Sequence, residues 1–213
     1  MSYENAKIGI GRMFRAEMIE LLCSIIAVVV AVVELVLGTA ASSSSLNTVD
    51  KVSAIMLIVV ILLTIFAVIL SLTGVLRASK DEDCFKRAIY AILLGMVCSV
   101  LASVFESRNE FLTSVLNSAQ RACLILETYY VLTGCANLCD KVKDEKSAKT
   151  ARTALSMICI SVIASVAVSV IASLLKTKVG VVFSAVLALV AIIIEIIAQI
   201  LYLVALRKTT KAL

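Results

Sequence analysis

Two glutamates, Glu127 and Glu195, stand inside long apolar runs, where carboxylates are rare and are functional candidates by default. A charged carboxylate at the bilayer centre costs about 2.5–3.5 kcal/mol on insertion scales. It must therefore face protein or water, find a partner, or carry a proton. Glu195 lies twelve residues before Arg207, roughly 18 Å along a helix. Ala188, Ala191, Ala198, Gln199 and Tyr202 fall on or beside its face. Glu127 lies thirteen residues before Asp140, roughly 20 Å by the same rise, and Tyr130, Gly134 and Asn137 continue its face. Ser161, Ser165, Ser169 and Ser173 form an i, i+4 hydroxyl ladder, which serves either helix packing or a solvated pathway. Glu127, Glu195, Gln199, Tyr130, Ser161, Ser165 and Ser169 are accordingly the candidate lining of a polar cavity that would take a cation or relay a proton. The bland alternative for both glutamates is a structural hydrogen bond to Ser or Tyr.

Other chemistry is thinly provided for. The chain has no His, so the commonest zinc ligand and the usual base at neutral pH are both missing. Its seven Cys are scattered, without a C-x-x-C pair, and most lie in apolar runs where Cys behaves as a small hydrophobe. No H-E-x-x-H, G-x-S-x-G or P-loop is present. The expectation is no catalytic residue, no metal, no cofactor and no enzyme.

The elements that would position these groups follow from composition. Of 213 residues, 62% are apolar and 16% charged, and the mean hydropathy is +1.09. Soluble domains run near 45–50% apolar and 25% charged. The chain must use lipid as part of its solvent. Six runs approach the about 20 apolar residues that a helical span needs. They are Leu21 to about Ala40, Ser53–Leu76, Ala88–Val104, Ala122–Cys139 (inside a helical stretch from near Phe111), Ala154–Leu175 and Val181–Leu206. With Pro absent and little strand-like alternation, all are read as helices. The first run is longer than the 7–15 residues of a signal-peptide core and contains Glu34, so it is read as a span.

The connections alternate in charge. Lys7, Arg12 and Arg15, then Arg77 to Arg87, Lys141 to Arg152, and Arg207 to Lys211 place fifteen basic residues on one side. Lys51, Arg108, Lys176 and Lys178 are the four opposite. The richer side is expected to be cytoplasmic, with both termini inside. Residues 1–20 form a cytoplasmic segment, drawn either as a loose tail or as a short interfacial helix with Ile10, Phe14 and Met18 on one face. Residues 21–206 are the transmembrane domain, and 207–213 a basic cytoplasmic tail.

The odd spans share a pattern of small-x3-small-x3-small-x2-charge. It reads Cys23, Ala27, Ala31, Glu34; then Gly95, Ser99, Ser103, Glu106; then Ser165, Ser169, Ser173, Lys176. The charged ends are 72 and 70 residues apart, and Arg15 and Arg87 are also 72 apart. Glu34, Glu106 and Lys176 are expected at the outer interface. Small faces let membrane helices approach closely. The even spans echo one another in Leu72-Thr73-Gly74 and Leu132-Thr133-Gly134. The expected fold is therefore all-α, six membrane helices in three tandem antiparallel hairpins at about 21–76, 88–139 and 154–206. Mitochondrial carriers share the three-hairpin plan, but their signature needs Pro in each odd helix, and this chain has none.

Midplane carboxylates suit transport of a small solute or cation. The alternative is a non-catalytic scaffold, sensor or subunit of a larger membrane complex, including the substrate-binding subunit of an importer. Expected partners are the lipid bilayer, a small solute or cation, and either a membrane-complex partner or a second copy of the chain. Nucleic acid is not expected, because the positive charge is spread over membrane-flanking loops. With no glycosylation sequon or eukaryotic sorting signal, the membrane is read as a bacterial plasma membrane.

Overall fold

The computed structural model describes the backbone of residues 3–40, 43–106, 109–174 and 178–213, with side chains except within 31–53, 169–186 and 188–189. Six α-helices make up the described chain: α1 Glu4–Ala40, α2 Ser43–Ala78, α3 Asp83–Phe105, α4 Glu110–Lys141, α5 Glu145–Leu174 and α6 Lys178–Ala212. No strand occurs among the described residues. Lipid offers no partner for a free N–H or C=O, so segments this apolar close their hydrogen bonds internally as helices. Among the described residues, five stretches are long and apolar enough to cross a membrane: Ala54–Ala78, Asp83–Phe105, Glu110–Lys141, Glu145–Val168 and Val190–Ala212. These are the properties of an integral membrane protein.

The helix ends follow local chemistry. Asn109 caps α4, its side chain accepting from the Leu112 N–H at 3.0 Å. Between α4 and α5 the chain reverses on Lys143, which has a φ of 60°. The Asp144 N–H donates to the Cys139 carbonyl at 2.9 Å and the Lys143 N–H to the Asp140 carbonyl at 3.0 Å. This is the Schellman pattern, with Lys at the position where Gly is usual. Asp144 then starts α5, accepting from the Ser147 N–H at 3.2 Å and the Ser147 hydroxyl at 2.7 Å.

The N-terminal segment departs from the sequence reading. Residues 4–20 are neither a tail nor a separate surface helix; they are the first half of α1. Ala6, Ile10, Met13 and Ala16 are buried, while Met18 is exposed and Phe14 only partly covered. The reason is backbone contact with α2. A Cβ on Gly74 would stand 2.7 Å from the Gly9 carbonyl oxygen and 2.9 Å from the Met13 side chain. Both positions must be Gly for the helices to cross this closely. The second echo residue behaves alike: a Cβ on Gly134 would meet the Phe85 ring at 2.8 Å. Met13 and Phe85 are themselves 72 residues apart. Met13–Gly74 and Phe85–Gly134 are thus similar contacts, although the two glycines are 60 residues apart, so the period of the odd helices does not extend to the even ones.

Consecutive helices pack most extensively, α1 on α2, α3 on α4 and α5 on α6. Contacts of α2 with α3, α4 with α5, and α1 with α6 link them in a ring, and α4 also touches α6. Side chains from the two ends of the chain meet at one end of the bundle. There Asp81 accepts from the Ala6 N–H at 2.7 Å, and Glu82 accepts from Asn137 at 3.1 Å and pairs with Lys141 at 2.5 Å. Cys139 and Thr209 touch at 3.6 Å beside them. Below this polar clasp lies the main core, built from Ile10, Met13, Val75, Phe85, Leu132, Leu138 and Leu206.

The small-residue stripes are only partly interfacial. On α3 the buried seam is Ala88, Ala91, Gly95, Cys98 and Ala102, alternating steps of three and four. Gly95 belongs to it, Ser99 is half-buried, and Ser103 is exposed. Likewise Cys23 and Ser161 are buried while Ala27 and Ser165 are exposed. Each i+4 step turns about 40° on a 3.6-residue helix, so a strict i+4 stripe rotates out of a seam that averages 3.5.

Candidate functional site

Above the core, α1, α2, α3, α4 and α6 line a partly open cavity of about 410 Å³. Its space comes from short side chains: Ser71 on α2 and Ala91, Gly95 and Ser99 on α3 leave room that larger residues would fill. Its charge comes from three carboxylates, Glu17 and Glu20 on α1 and Glu127 on α4. Glu17 and Glu20 are three apart and therefore share a helix face. Gln120, Leu124, Glu127 and Thr128 follow one face of α4 toward the same space. Among the described residues, no Lys or Arg lines the cavity.

Polar neighbours hold the carboxylates in place. The side-chain amide of Gln199 donates to Glu17 at 3.3 Å. Tyr202, 7% exposed, lines the same wall from α6. Thr128 donates its hydroxyl proton to the Leu124 carbonyl at 3.0 Å, which leaves its oxygen lone pairs as acceptors. Among the described residues, every buried side-chain nitrogen or oxygen has a hydrogen-bond partner. Also among the described residues, no three His, Cys, Asp or Glu side chains converge closely enough to hold a metal ion. The carboxylates surround a volume and do not meet at a point. Such a wall stabilises a diffuse or multi-donor cation, or takes up protons.

The structure distributes the sequence candidates unevenly. Glu127 lines the cavity. Gln199 is exposed but reaches the cavity wall through Glu17. Tyr130 is partly buried against the core and stacks edge-on with Tyr129 at 5.4 Å, away from the cavity lining. Glu195 is exposed and does not line the cavity. It nevertheless sits on the face of α6 that carries Ala191, Ala198 and Tyr202, all buried. The serine ladder is on α5, which contributes nothing to the lining. Ser161 is buried with its hydroxyl donating to the Ile158 carbonyl at 2.9 Å, and Ser165 is exposed. The side chain of Ser169 lies outside the described residues. Of the outer-interface charges, Glu106 is exposed, while the side chain of Glu34 and all of Lys176 lie outside the described residues.

Glu17 and Glu20 escaped the sequence reading because they precede the first long apolar run. The usable signal was their i, i+3 spacing directly before Leu21 with Ala16 and Cys23 on the flanking turns. Comparison with protein-family models, with curated proteins and with solved structures finds no match to this chain.

Proposed function

We propose that the chain is a six-span membrane protein that carries a small cation, or a solute coupled to protons, through the cavity walled by Glu17, Glu20 and Glu127. The observation behind this reading is the meeting of three carboxylates from two helices in one space that, among the described residues, no Lys or Arg lines. Three carboxylates gathered in one space require compensation beyond the Gln199 hydrogen bond to Glu17, and protons or a visiting cation supply it. The volume of about 410 Å³ falls in the range of small-molecule sites, and the lack of a point of convergence favours an organic ammonium compound or protons over a bare metal ion. On this reading the spans form three tandem hairpins with both termini in the cytoplasm. The charge asymmetry of the loops supports that orientation. The reading assigns the chain no enzymatic reaction.

Uptake of methylammonium and of choline into proteoliposomes under an inside-negative potential tests the proposal, with internal pH recorded in parallel. The expected result is saturable uptake or proton entry above that of empty liposomes.

A second reading, a subunit of a larger membrane complex or a homo-oligomer, draws on one observation. Glu195 is exposed within the Val190–Ala212 span. A carboxylate there needs water or a polar partner. Recovery of a defined stoichiometric partner after mild extraction, together with an absence of flux, would favour it.

A further inference from the structure

A second concavity lies where the start of α1 meets the end of α2; it shares no lining residue with the carboxylate cavity, although its Thr73 directly follows Ser71 and Leu72 of the cavity on α2. It is an open groove of about 310 Å³ lined by Asn5 of α1 and by Thr73, Leu76, Arg77 and Lys80 at the end of α2. Its position is defined by sequence. Arg77 is the first charge after the uncharged run Val52–Leu76, so the groove sits where the apolar part of α2 meets the polar boundary. Its charge is available. Neither Arg77 nor Lys80 joins an ion pair among the described residues. The neighbouring acid, Asp81, pairs with neither cation and is engaged elsewhere: its carboxylate accepts from the Ala6 N–H at 2.7 Å and from the side chain of Asn5, itself a lining residue, at 3.4 Å. The apolar side is also present. Ile65, Ile69 and Leu76 follow one exposed face of α2 toward the groove.

We propose that this groove binds the headgroup of an anionic phospholipid, with the phosphate between Arg77 and Lys80 and the acyl chains along Ile65, Ile69 and Leu76. A guanidinium and an ammonium together match a phosphate ester, one through a planar fork and the other as a point charge. An apolar track leading into the same groove suits a lipid and offers nothing to a free anion. The site does not depend on the transport reading, since it shares no residue with the carboxylate cavity.

The full-length protein in neutral detergent is titrated with phosphatidylglycerol and, separately, with phosphatidylcholine, and bound lipid is counted by native mass spectrometry. Phosphatidylglycerol is expected to bind more tightly. Each basic residue near a membrane surface is worth about fivefold in anionic-lipid affinity, so Arg77→Gln with Lys80→Gln should weaken binding by about 25-fold. The charge-keeping pair Arg77→Lys with Lys80→Arg should stay within about twofold, as should Arg207→Gln with Lys208→Gln, which removes two cations that do not line the groove. Single Lys80→Gln, at an exposed position, carries the test if the double variant fails to fold, with a loss of about fivefold. Undiminished binding in the neutralised variants would overturn the proposal, and so would an equal loss at Arg207 and Lys208. Displacement of the lipid by inorganic phosphate at equal concentration would overturn it too, because the groove would then be a free-anion site.

Discussion

Gln199 in the second half of α6 donates its side-chain amide to the Glu17 carboxylate on α1 at 3.3 Å, joining residues 182 apart in sequence. The bond closes the helix ring at the cavity wall. Hydrogen bonds to charged groups contribute about 1.5–3 kcal/mol when buried, and Gln199 is exposed, so the lower end applies. Gln199→Leu should therefore lower the unfolding midpoint in detergent by a few degrees. Gln199→Glu should lower it further at neutral pH, because a fourth carboxylate would face Glu17. Parallel thermal melts check both.

The crossing of α1 and α2 depends on two glycines in mutual contact. Gly9→Ala or Gly74→Ala puts a methyl group into the opposing backbone, which cannot move aside as a side chain could. Overpacking of this kind costs about 1–3 kcal/mol. Gly134→Ala meets the edge of the Phe85 ring instead, so Phe85→Leu in the same chain should recover part of its loss. Gly9→Ala should have no such single-residue rescue. Melting midpoints of the single and double variants decide the matter.

Much of this arrangement can be read from the sequence, and the parts that cannot have physical reasons. Apolar runs mark the helices well because lipid imposes a length on them. The α1 boundary is missed because Arg12, Arg15, Glu17 and Glu20 look like a solvated segment, whereas only Arg15 is exposed and the other three are half-buried, Glu17 with a hydrogen bond from α6. Glu127 is legible as a site residue because α4 is polar on the side that carries it. Glu195 looked equally placed by depth, yet depth does not say which neighbour a helix face meets. The serine ladder was legible as a pattern but not as packing, since an i+4 row turns away from its partner after one step.

Lys143 occupies a left-handed position that Gly takes at no steric cost. The penalty for a residue with a Cβ is about 1–2 kcal/mol, offset in part by the greater unfolded entropy of Gly. Lys143→Gly should raise the melting midpoint, and Lys143→Val should lower it. No effect on flux is expected from either, because the loop is at the terminal end, away from the cavity lining.

The Glu82 clasp gives a stability signature in pH. Burial opposes ionisation of Glu82, but hydrogen bonds from Lys141 and Asn137, with the Lys141 charge, outweigh it and hold the carboxyl below its ordinary value of 4.5. A depressed carboxyl favours the folded state once pH exceeds the unfolded value, and that contribution is lost as pH falls through the folded one. The difference in melting midpoint between the native chain and Glu82→Gln should be full at pH 6–7. It should shrink progressively below about 4.5 and vanish in stronger acid. A difference that grew on acidification would contradict the pairing seen here.

The central claim is that the carboxylate cavity is the path of a cation, and flux in proteoliposomes tests it most directly. The native chain is compared with Glu17→Gln, Glu127→Gln and Glu195→Gln, each first shown to be folded and equally reconstituted. Removal of one charge-assisted contact predicts a loss of at least about tenfold in Glu17→Gln and in Glu127→Gln. Glu195→Gln, outside the cavity lining, should keep its flux within about twofold. Native flux that survives both cavity substitutions would contradict the account, and so would flux abolished only in Glu195→Gln.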